Sequence, residues 1–356
     1  LVRDIVIASM FGAGSHADAF FVAFKIPNFL RRLFAEGAFN QAFVPVLAEI
    51  SQQGDRQLLK AMVSKVSGSL LLVLSVITVA ALVAAPVLAL VFAPGFADDG
   101  DKLGLTADML RITFPYLLLI SMTGFLGSLL NHAQRFAIPA LTPVLLNLSL
   151  ITAALWLAPQ MRVPVMALAW GVLAAGILQL ALQLPFVARL GLLVKPQIGF
   201  SDVRVKQVMR LMLPAMFGVS VAQINLLLDT VLASLLQTGS VSWLYFADRL
   251  MEFPTGLLGV TLGTILLPSL SKSVADSNDM EYSQLLDWGL RLTFMLALPA
   301  AAALAVLAVP LISSLFMYGA FNSHDVIMTK VPLMAYSFGL IGLILVKVLA
   351  PGFYSR

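Results

Sequence analysis

The stretch from Asp18 to Glu49, DAFFVAFKIPNFLRRLFAEGAFNQAFVPVLAE, places charged and amide side chains inside an otherwise apolar run. Charge at membrane depth costs roughly 2.5–3.5 kcal/mol per residue on insertion scales, so such residues usually face a bundle interior or a wet cavity. The residues concerned are Asp18, Lys25, Asn28, Arg31, Arg32 and Glu36. Their chemistry is ion pairing and the binding of a polar or charged ligand, and the rest of the chain is predicted to be the scaffold of that cavity.

The spacing of these side chains predicts which of them share a helix face. On an ideal helix Asp18, Lys25, Arg32 and Glu36 fall together, with Asn28 beside them and Arg31 round the side. Pro27 removes one backbone donor and kinks or breaks the helix, so the faces before and after it need not align. Periodicity therefore leaves the choice between Arg31 and Arg32 open.

A second charged helix lies at YFADRLMEFP, just before Pro254. It spaces Tyr245, Asp248, Arg249 and Glu252 at i, i+3, i+4 and i+7, which is one helix face. Mid-helix Asp229 adds an acid that could hold a cation, although a hydrogen bond to a neighbouring helix is the slightly better explanation. The chain thus brings two charged helices, each containing a proline, to its interior.

The composition identifies the class of protein that carries these helices. Hydrophobic residues make up 60% of 356 and charged residues 11%, with a mean hydropathy of +0.96. A soluble domain is about 45–50% apolar and about 25% charged, so the chain is a polytopic membrane protein. Cysteine is absent and the three histidines are far apart, so no disulfide framework and no metal site are predicted.

Ten helices are predicted, the first incomplete, in a chain interpreted as a piece of a longer protein. Prolines lie inside many of them, and broken helices at membrane depth are typical of transporters. Basic residues such as Arg56, Lys65 and Arg204 fall in alternate connections, whereas the opposite connections hold Lys102 and Arg162 with several acids. The positive-inside rule then predicts a cytoplasmic N-terminus. The predicted helices span residues 1–12, 17–49, 58–93, 104–131, 137–158, 164–188, 205–236, 241–272, 284–316 and 326–350.

A weak internal repeat relates the two ends of the chain. An offset of 223 residues places Phe20 on Trp243 and Pro45 on Pro268. Transporters are often built from two related halves. We therefore expect an all-α fold of two pseudosymmetric lobes around a central cavity, with an N-terminal lobe at 1–190 and the first part of a C-terminal lobe at 191–356.

Three long motifs carry a resemblance to a known family: the Asp18 to Glu49 segment, GSVSWLYFADRLMEFPTGLLGVTLGTILLPSLSKS and LVKVLAPGFYSR. They resemble the MurJ (MviN) lipid II flippases of the multidrug/oligosaccharidyl-lipid/polysaccharide exporter superfamily. The resemblance implies fourteen helices in the complete protein. It also implies alternating access that moves undecaprenyl-pyrophosphate-linked disaccharide pentapeptide, lipid II, from the cytoplasmic to the periplasmic leaflet of the bacterial inner membrane.

The resemblance also implies roles for individual residues. It gives substrate-binding arginines at Arg3, Arg31 and Arg249, and so favours Arg31 over Arg32. Apart from the resemblance, the position of Lys25 and Asn28 inside an apolar helix makes them further candidate substrate contacts, and that of Asp229 makes it a candidate cation site. The candidate gating and ion-pairing residues are Asp4, Asp18, Glu36, Ser242 and Glu252.

The chemistry agrees with these implied roles, because guanidinium groups pair with phosphate oxygens bidentately and stay charged in a low-dielectric cavity. No cofactor is predicted, and a monovalent cation or the membrane potential could drive the cycle. The predicted partners are lipid II, the bilayer and cell-wall synthesis proteins, and no nucleic acid. A cation-coupled multidrug exporter is the alternative, in which the acids would bind organic cations. A membrane enzyme acting on lipid-linked sugars lacks its catalytic motifs here.

Overall fold

The computed structural model describes residues 1–32 and 39–355, without the side chains of 219–222, 258–265 and 354. Within these residues there are fifteen α-helices and no strand. The all-α prediction is therefore confirmed. The helices are α1 (Val2–Phe11), α2 (Ser15–Arg31), α3 (Phe39–Gln52), α4 (Arg56–Val83), α5 (Ala85–Phe92), α6 (Gly100–Thr113), α7 (Pro115–His132), α8 (Ala137–Thr152), α9 (Met166–Arg189), α10 (Val203–Ser234), α11 (Ser240–Pro254), α12 (Thr261–Ala275), α13 (Asp279–Val306), α14 (Ala308–Phe316) and α15 (Ser323–Tyr354).

Each predicted helix corresponds to one or two of these elements. The long predictions divide at single-residue breaks, so that 58–93 becomes α4 and α5, and 284–316 becomes α13 and α14. A π-helical stretch, Thr255–Val260, joins α11 to α12. In the described part of the chain, six helical segments are long and apolar enough to cross a membrane, or seven with the bent α10 counted as one span. Short, charged α1, α2 and α11 are not among them, and these helices carry most of the predicted site residues.

The offset of 223 residues found in the sequence recurs in the helix boundaries. Helices α4 and α13 begin and end at equivalent positions, and so do the starts of α5 and α14 and of α6 and α15. The breaks have similar backbone angles, with φ and ψ of −84° and 5° at Ala84 and −94° and 14° at Leu307. Side-chain N-caps are also shared, because short polar residues accept the first free backbone N–H groups. The equivalent caps are Asp55 and Asn278, and Asp99 and Asn322.

The chain divides into two compact units. Unit 1 comprises Leu1–Ala13 and Gly239–Arg356, and unit 2 comprises Gly14–Thr238. These units are defined by contacts, whereas the predicted lobes are defined by the repeat, so the lobe boundary at residue 190 stays a prediction. Unit 2 has a core in which Phe39, Phe43 and Phe125 pack with ring centroids 5.0–5.9 Å apart.

Unit 1 has its own aromatic centre beside α11. The rings of Phe246, Phe316 and Phe321 lie 5.0–6.1 Å apart and are fully buried. Gly319, at φ 59°, brings the turn between α14 and α15 against α1, where a Cβ would stand 2.3 Å from the Ser9 carbonyl oxygen. The Ala320 N–H donates to that carbonyl at 2.8 Å. This turn therefore fixes α1 within unit 1.

Candidate functional site

In unit 1, α1 and α11 share a buried network of charged and phenolic groups. The Arg3 guanidinium donates to Asp4 Oδ1 from Nε at 3.0 Å and from Nη2 at 2.6 Å. The Tyr245 hydroxyl donates to the same carboxylate oxygen at 2.8 Å and accepts from Arg3 Nη2 at 2.8 Å. The Asp4 side chain is 3% exposed. Three groups thus close a ring of hydrogen bonds around one buried carboxylate.

Arg249 extends this network along α11. Its Nη1 donates to Glu252 Oε2 at 2.6 Å, and its Nη2 approaches Asp248 Oδ2 at 3.4 Å. Its guanidinium carbon lies 5.1 Å from the Tyr245 ring centroid, which is cation–π distance. The Arg249 Nε is buried and has no hydrogen-bond partner among the described residues. The structure therefore brings together the α11 face that the spacing predicted, and it leaves one guanidinium donor available.

The local sequence explains why these side chains converge. On α11 the intervening residues Phe246, Ala247 and Leu250 are buried against the helices around them, which turns the charged face away from the core. Ser242, the predicted gating serine, is fully buried near the start of α11. Of the predicted residues, Arg3, Asp4, Arg249 and Glu252 thus form one cluster with Tyr245.

In unit 2, Asp18 forms a buried ion pair that the sequence analysis did not foresee. Lys102 Nζ lies 2.9 Å from Asp18 Oδ2, and the two side chains are 4% and 1% exposed. The same ammonium stands 3.9 Å from the Phe96 ring centroid. Lys102 was expected in a loop, but Asp99 caps α6, so the helix begins at Gly100, earlier than predicted. Lys102 therefore lies in the first turn of α6 and faces α2.

Pro27 does not end α2, which continues to Arg31. A proline lacks the N–H that would donate four residues back, so the Ala23 carbonyl loses its helical partner. The Thr113 hydroxyl, on α6, donates to the Ala23 oxygen at 3.1 Å. The lost hydrogen bond is replaced from a neighbouring helix, and this replacement explains how the helix passes through the proline.

The other predicted residues of unit 2 lie near the end of α2 and on α10. Arg31 Nε donates to Asn28 Oδ1 at 2.8 Å, and Arg32 Nη1 approaches Gln223 Oε1 at 3.5 Å. These contacts do not choose between the two arginines. Lys25 and Asp229 are half-buried. Glu36 lies outside the described residues, so its predicted role stays a prediction.

The sequence indicated the roles of Tyr245 and Lys102 in these networks only weakly. Tyr245 was placed on the charged face, but nothing predicted that its hydroxyl would bridge Arg3 and Asp4, more than two hundred residues earlier. Lys102 follows the acidic loop directly, and its helix was predicted to begin two residues after it. A cap search at Asp99 identifies it as a helical residue, because an N-cap acid fixes the first turn.

Comparison with known proteins identifies the family. The family model described as lipid II flippase MurJ matches residues 7–356. The lipid II flippase MurJ of Burkholderia cenocepacia is 49% identical over the whole of this chain and 70% of its own length. The probable lipid II flippase MurJ of Haemophilus influenzae is 47% identical over the whole of this chain and 72% of its length.

Solved structures agree with this assignment. An inward closed conformation of lipid II flippase MurJ has a TM-score of 0.85 and 26% identity, and covers 99% of this chain and 72% of that one. An inward-facing multidrug resistance MATE family transporter of the MOP superfamily has a TM-score of 0.76 at 14% identity, which supports the fold alone. The predicted resemblance and the prediction of a transporter rather than an enzyme are therefore confirmed. The chain belongs to the lipid II flippase MurJ family.

Proposed function

We propose that this protein moves lipid II from the cytoplasmic to the periplasmic leaflet by alternating access, with the pyrophosphate bound by arginine side chains. Relatives at 36–49% identity that carry the name lipid II flippase, or probable lipid II flippase, support the activity. The observation that carries the mechanism is the buried network in unit 1, in which Arg3 and Arg249 both contact Tyr245.

The two arginines suit a pyrophosphate because of their geometry and their permanent charge. Guanidinium groups present forked donors that match phosphate oxygens, and they are always protonated. The unpaired Nε of Arg249 offers one donor without the loss of an existing contact. Arg31 of unit 2 remains part of the proposal through the family resemblance, and Lys25 and Asn28 remain part of it as polar side chains within an apolar run.

The acids explain what happens without substrate. Asp4 neutralises Arg3, and Glu252 and Asp248 neutralise Arg249, so the described network contains three carboxylates and two guanidinium groups. A buried charge without a partner is strongly unfavourable, so a phosphate that uses more guanidinium donors than the free Arg249 Nε would have to take the place of a carboxylate. This exchange gives the ligand different contacts in different conformations, which is what shifts a conformational equilibrium.

The multidrug-exporter alternative is less well supported. Within unit 1 the carboxylates of the described network outnumber its guanidinium groups, so charge alone does not exclude an organic cation. The relatives favour a flippase over an exporter. Those at 36–49% identity are named lipid II flippases or probable lipid II flippases, whereas the MATE structure shares only 14% identity.

The proposal also covers the orientation of the protein in the membrane and the energy source of its transport cycle. Burial of Lys102 leaves Arg162 as the one exposed arginine or lysine in the connections opposite those of Arg56, Lys65 and Arg204, which supports a cytoplasmic N-terminus in the inner membrane. We further propose that the membrane potential, worth about 2.3 kcal/mol per charge per 100 mV, or a monovalent cation at Asp229, resets the transporter. Cell-wall synthesis proteins remain its proposed partners.

A native mass spectrometry titration of the full-length protein with lipid II tests the proposal. Wild type is compared with the Arg31→Ala, Arg249→Ala double variant and with Arg291→Ala, a control arginine whose side chain is 80% exposed on α13. We expect lipid II to bind wild type and the control but not the double variant. Equal binding by all three would refute the arginine clamp, and binding of organic cations without lipid II would favour the exporter.

A further inference from the structure

A cavity of about 510 Å³ lies within unit 2, among α3, α7, α8 and α9. Apart from the imidazole of His132, its described lining contains no ionisable side chain. Its polar lining residues are Asn40, Thr123, Ser128, Asn131, His132, Gln134, Thr142 and Gln183. Asn131 and Gln134 are exposed, so the cavity opens where α7 ends. The network around Arg3 and Arg249 belongs to unit 1 and shares no residue with it.

Gln183 makes this cavity more than a packing gap. Its side chain is on α9 and is 1% exposed, yet its Oε1 has no hydrogen-bond partner among the described residues. The amide lies against Gly127, where an added Cβ would be 3.6 Å from Nε2 and 3.7 Å from Oε1. Both residues line the cavity. A buried amide oxygen without a partner is unfavourable, and Gln183 lines the cavity, so a donor on a molecule held in the cavity would relieve this cost.

The lining selects the chemical class of that molecule. A pyrophosphate would find no lysine or arginine in the lining, and an organic cation would find no carboxylate. An acyl chain would leave the Gln183 oxygen unsatisfied. The lining offers hydroxyl and amide side chains around a cavity of a few hundred cubic ångströms. Such a lining suits a neutral ligand rich in hydroxyl and acetamido groups.

We propose that this cavity binds a sugar of the lipid-linked substrate through Gln183 and Asn40, separately from recognition of the pyrophosphate. Asn40 takes part because its Oδ1 accepts from the Ser128 hydroxyl at 2.5 Å, which orients the amide at the cavity wall. The assignment rests on the proposed function, since it requires a lipid carrier that bears sugars.

The test compares two ligands that differ in the sugars and peptide. The affinity of the full-length protein is measured for lipid II and for undecaprenyl pyrophosphate, which keeps the lipid and the phosphates alone. The variants are Gln183→Leu and Asn40→Ala. The control is Gln179→Glu, one turn earlier on α9, because Gln179 is equally buried with an unpaired Oε1 but does not line the cavity; Gln179→Leu is avoided since Gln179 Nε2 donates to the carbonyl of the lining residue Thr142 at 2.7 Å, and Gln179→Met replaces it where the charge is not tolerated.

We expect Gln183→Leu and Asn40→Ala each to weaken lipid II binding about tenfold while undecaprenyl pyrophosphate affinity and the control stay unchanged. Equal loss for both ligands would overturn the sugar site, because the variants would then disturb the recognition of the lipid and phosphates that both ligands share. No loss for either ligand would also overturn it and indicate a cavity that holds only water. Failure of wild type to bind either ligand would instead overturn the proposed function. If Gln183→Leu does not fold, Asn40→Ala alone decides between these outcomes.

Discussion

Lys102 and Asp325 occupy equivalent positions in the two copies of the repeat, 223 residues apart, and each is buried in the first turn of its helix. Lys102 pairs with Asp18 on α2, whereas Asp325 Oδ1 accepts from Trp243 Nε1 on α11 at 3.0 Å. The same helix pair is therefore joined by an ion pair in one copy and by a neutral donor in the other. The same position therefore links the two equivalent helices in each copy, although the interacting groups differ.

Lys102→Met should destabilise the protein strongly because it removes the ammonium that pairs with the buried Asp18 carboxylate. Breaking a buried pair from one side costs about 3–5 kcal/mol. The Asp18→Asn, Lys102→Met double variant should recover most of that loss. Unfolding in detergent, followed for both single variants and the double variant, measures the coupling. Additive losses would show that the two side chains do not act as a pair.

Sequence patterns predicted the helices well because long apolar runs and their proline and glycine boundaries are local signals. The 223-residue repeat was weak in identities, yet the caps at Asp55 and Asn278 follow it, since short polar caps are interchangeable in chemistry. The partner of Asp18 could not be predicted in the same way. It depends on how α2 packs against α6, and hydropathy does not contain that information.

The same limit applies to the Arg3 network. Family resemblance selected Arg3 and Arg249 as binding residues, but the bridging role of the Tyr245 hydroxyl follows only from the packing of α1 beside α11 within unit 1. Local spacing fixed which α11 residues share a face. It could not indicate that a phenol from this face would satisfy a carboxylate from the other end of the sequence.

Thr113→Val should destabilise α2 at its proline. The valine keeps the shape of threonine but removes the hydroxyl that donates to the Ala23 carbonyl. An unsatisfied buried carbonyl costs about 1–3 kcal/mol. In a Pro27→Ala background the backbone N–H is restored, so the same substitution should cost much less. A thermal unfolding cycle over the four proteins checks this, and an equal cost in both backgrounds would contradict the explanation.

The contact between Asp202 and Lys65 at the start of α10 predicts that the stability of the protein depends on pH. The hydrogen bond from Lys65 Nζ, at 2.7 Å, lowers the pKa of Asp202, burial opposes this shift, and the Arg204 backbone N–H adds to the lowering. Because the folded pKa is below the unfolded value of about 3.9, this stabilisation is present above that pH and is lost as pH falls through the folded pKa.

Asp202→Asn isolates this contribution, since asparagine can still cap α10 by accepting from the Arg204 N–H. The variant should be less stable than wild type at pH 7, and the difference should shrink as the pH approaches 3. Unfolding temperatures of the two proteins between pH 7 and pH 3 measure it. A difference that does not change with pH would indicate that the Lys65 contact contributes no charge-dependent stability.

Arg249→Lys should abolish flipping even though it keeps the positive charge. One ammonium cannot reproduce the forked contacts with Glu252 and Asp248 or the position over the Tyr245 ring. Lys25→Arg is the reverse exchange at a half-buried position, and it should be tolerated because a point charge there needs no fork. Complementation of a flippase-depleted strain, with membrane insertion verified for each variant, measures both. Growth on Arg249→Lys would mean that charge alone is sufficient at that position, and loss of growth on Lys25→Arg would mean that side-chain shape also matters on α2.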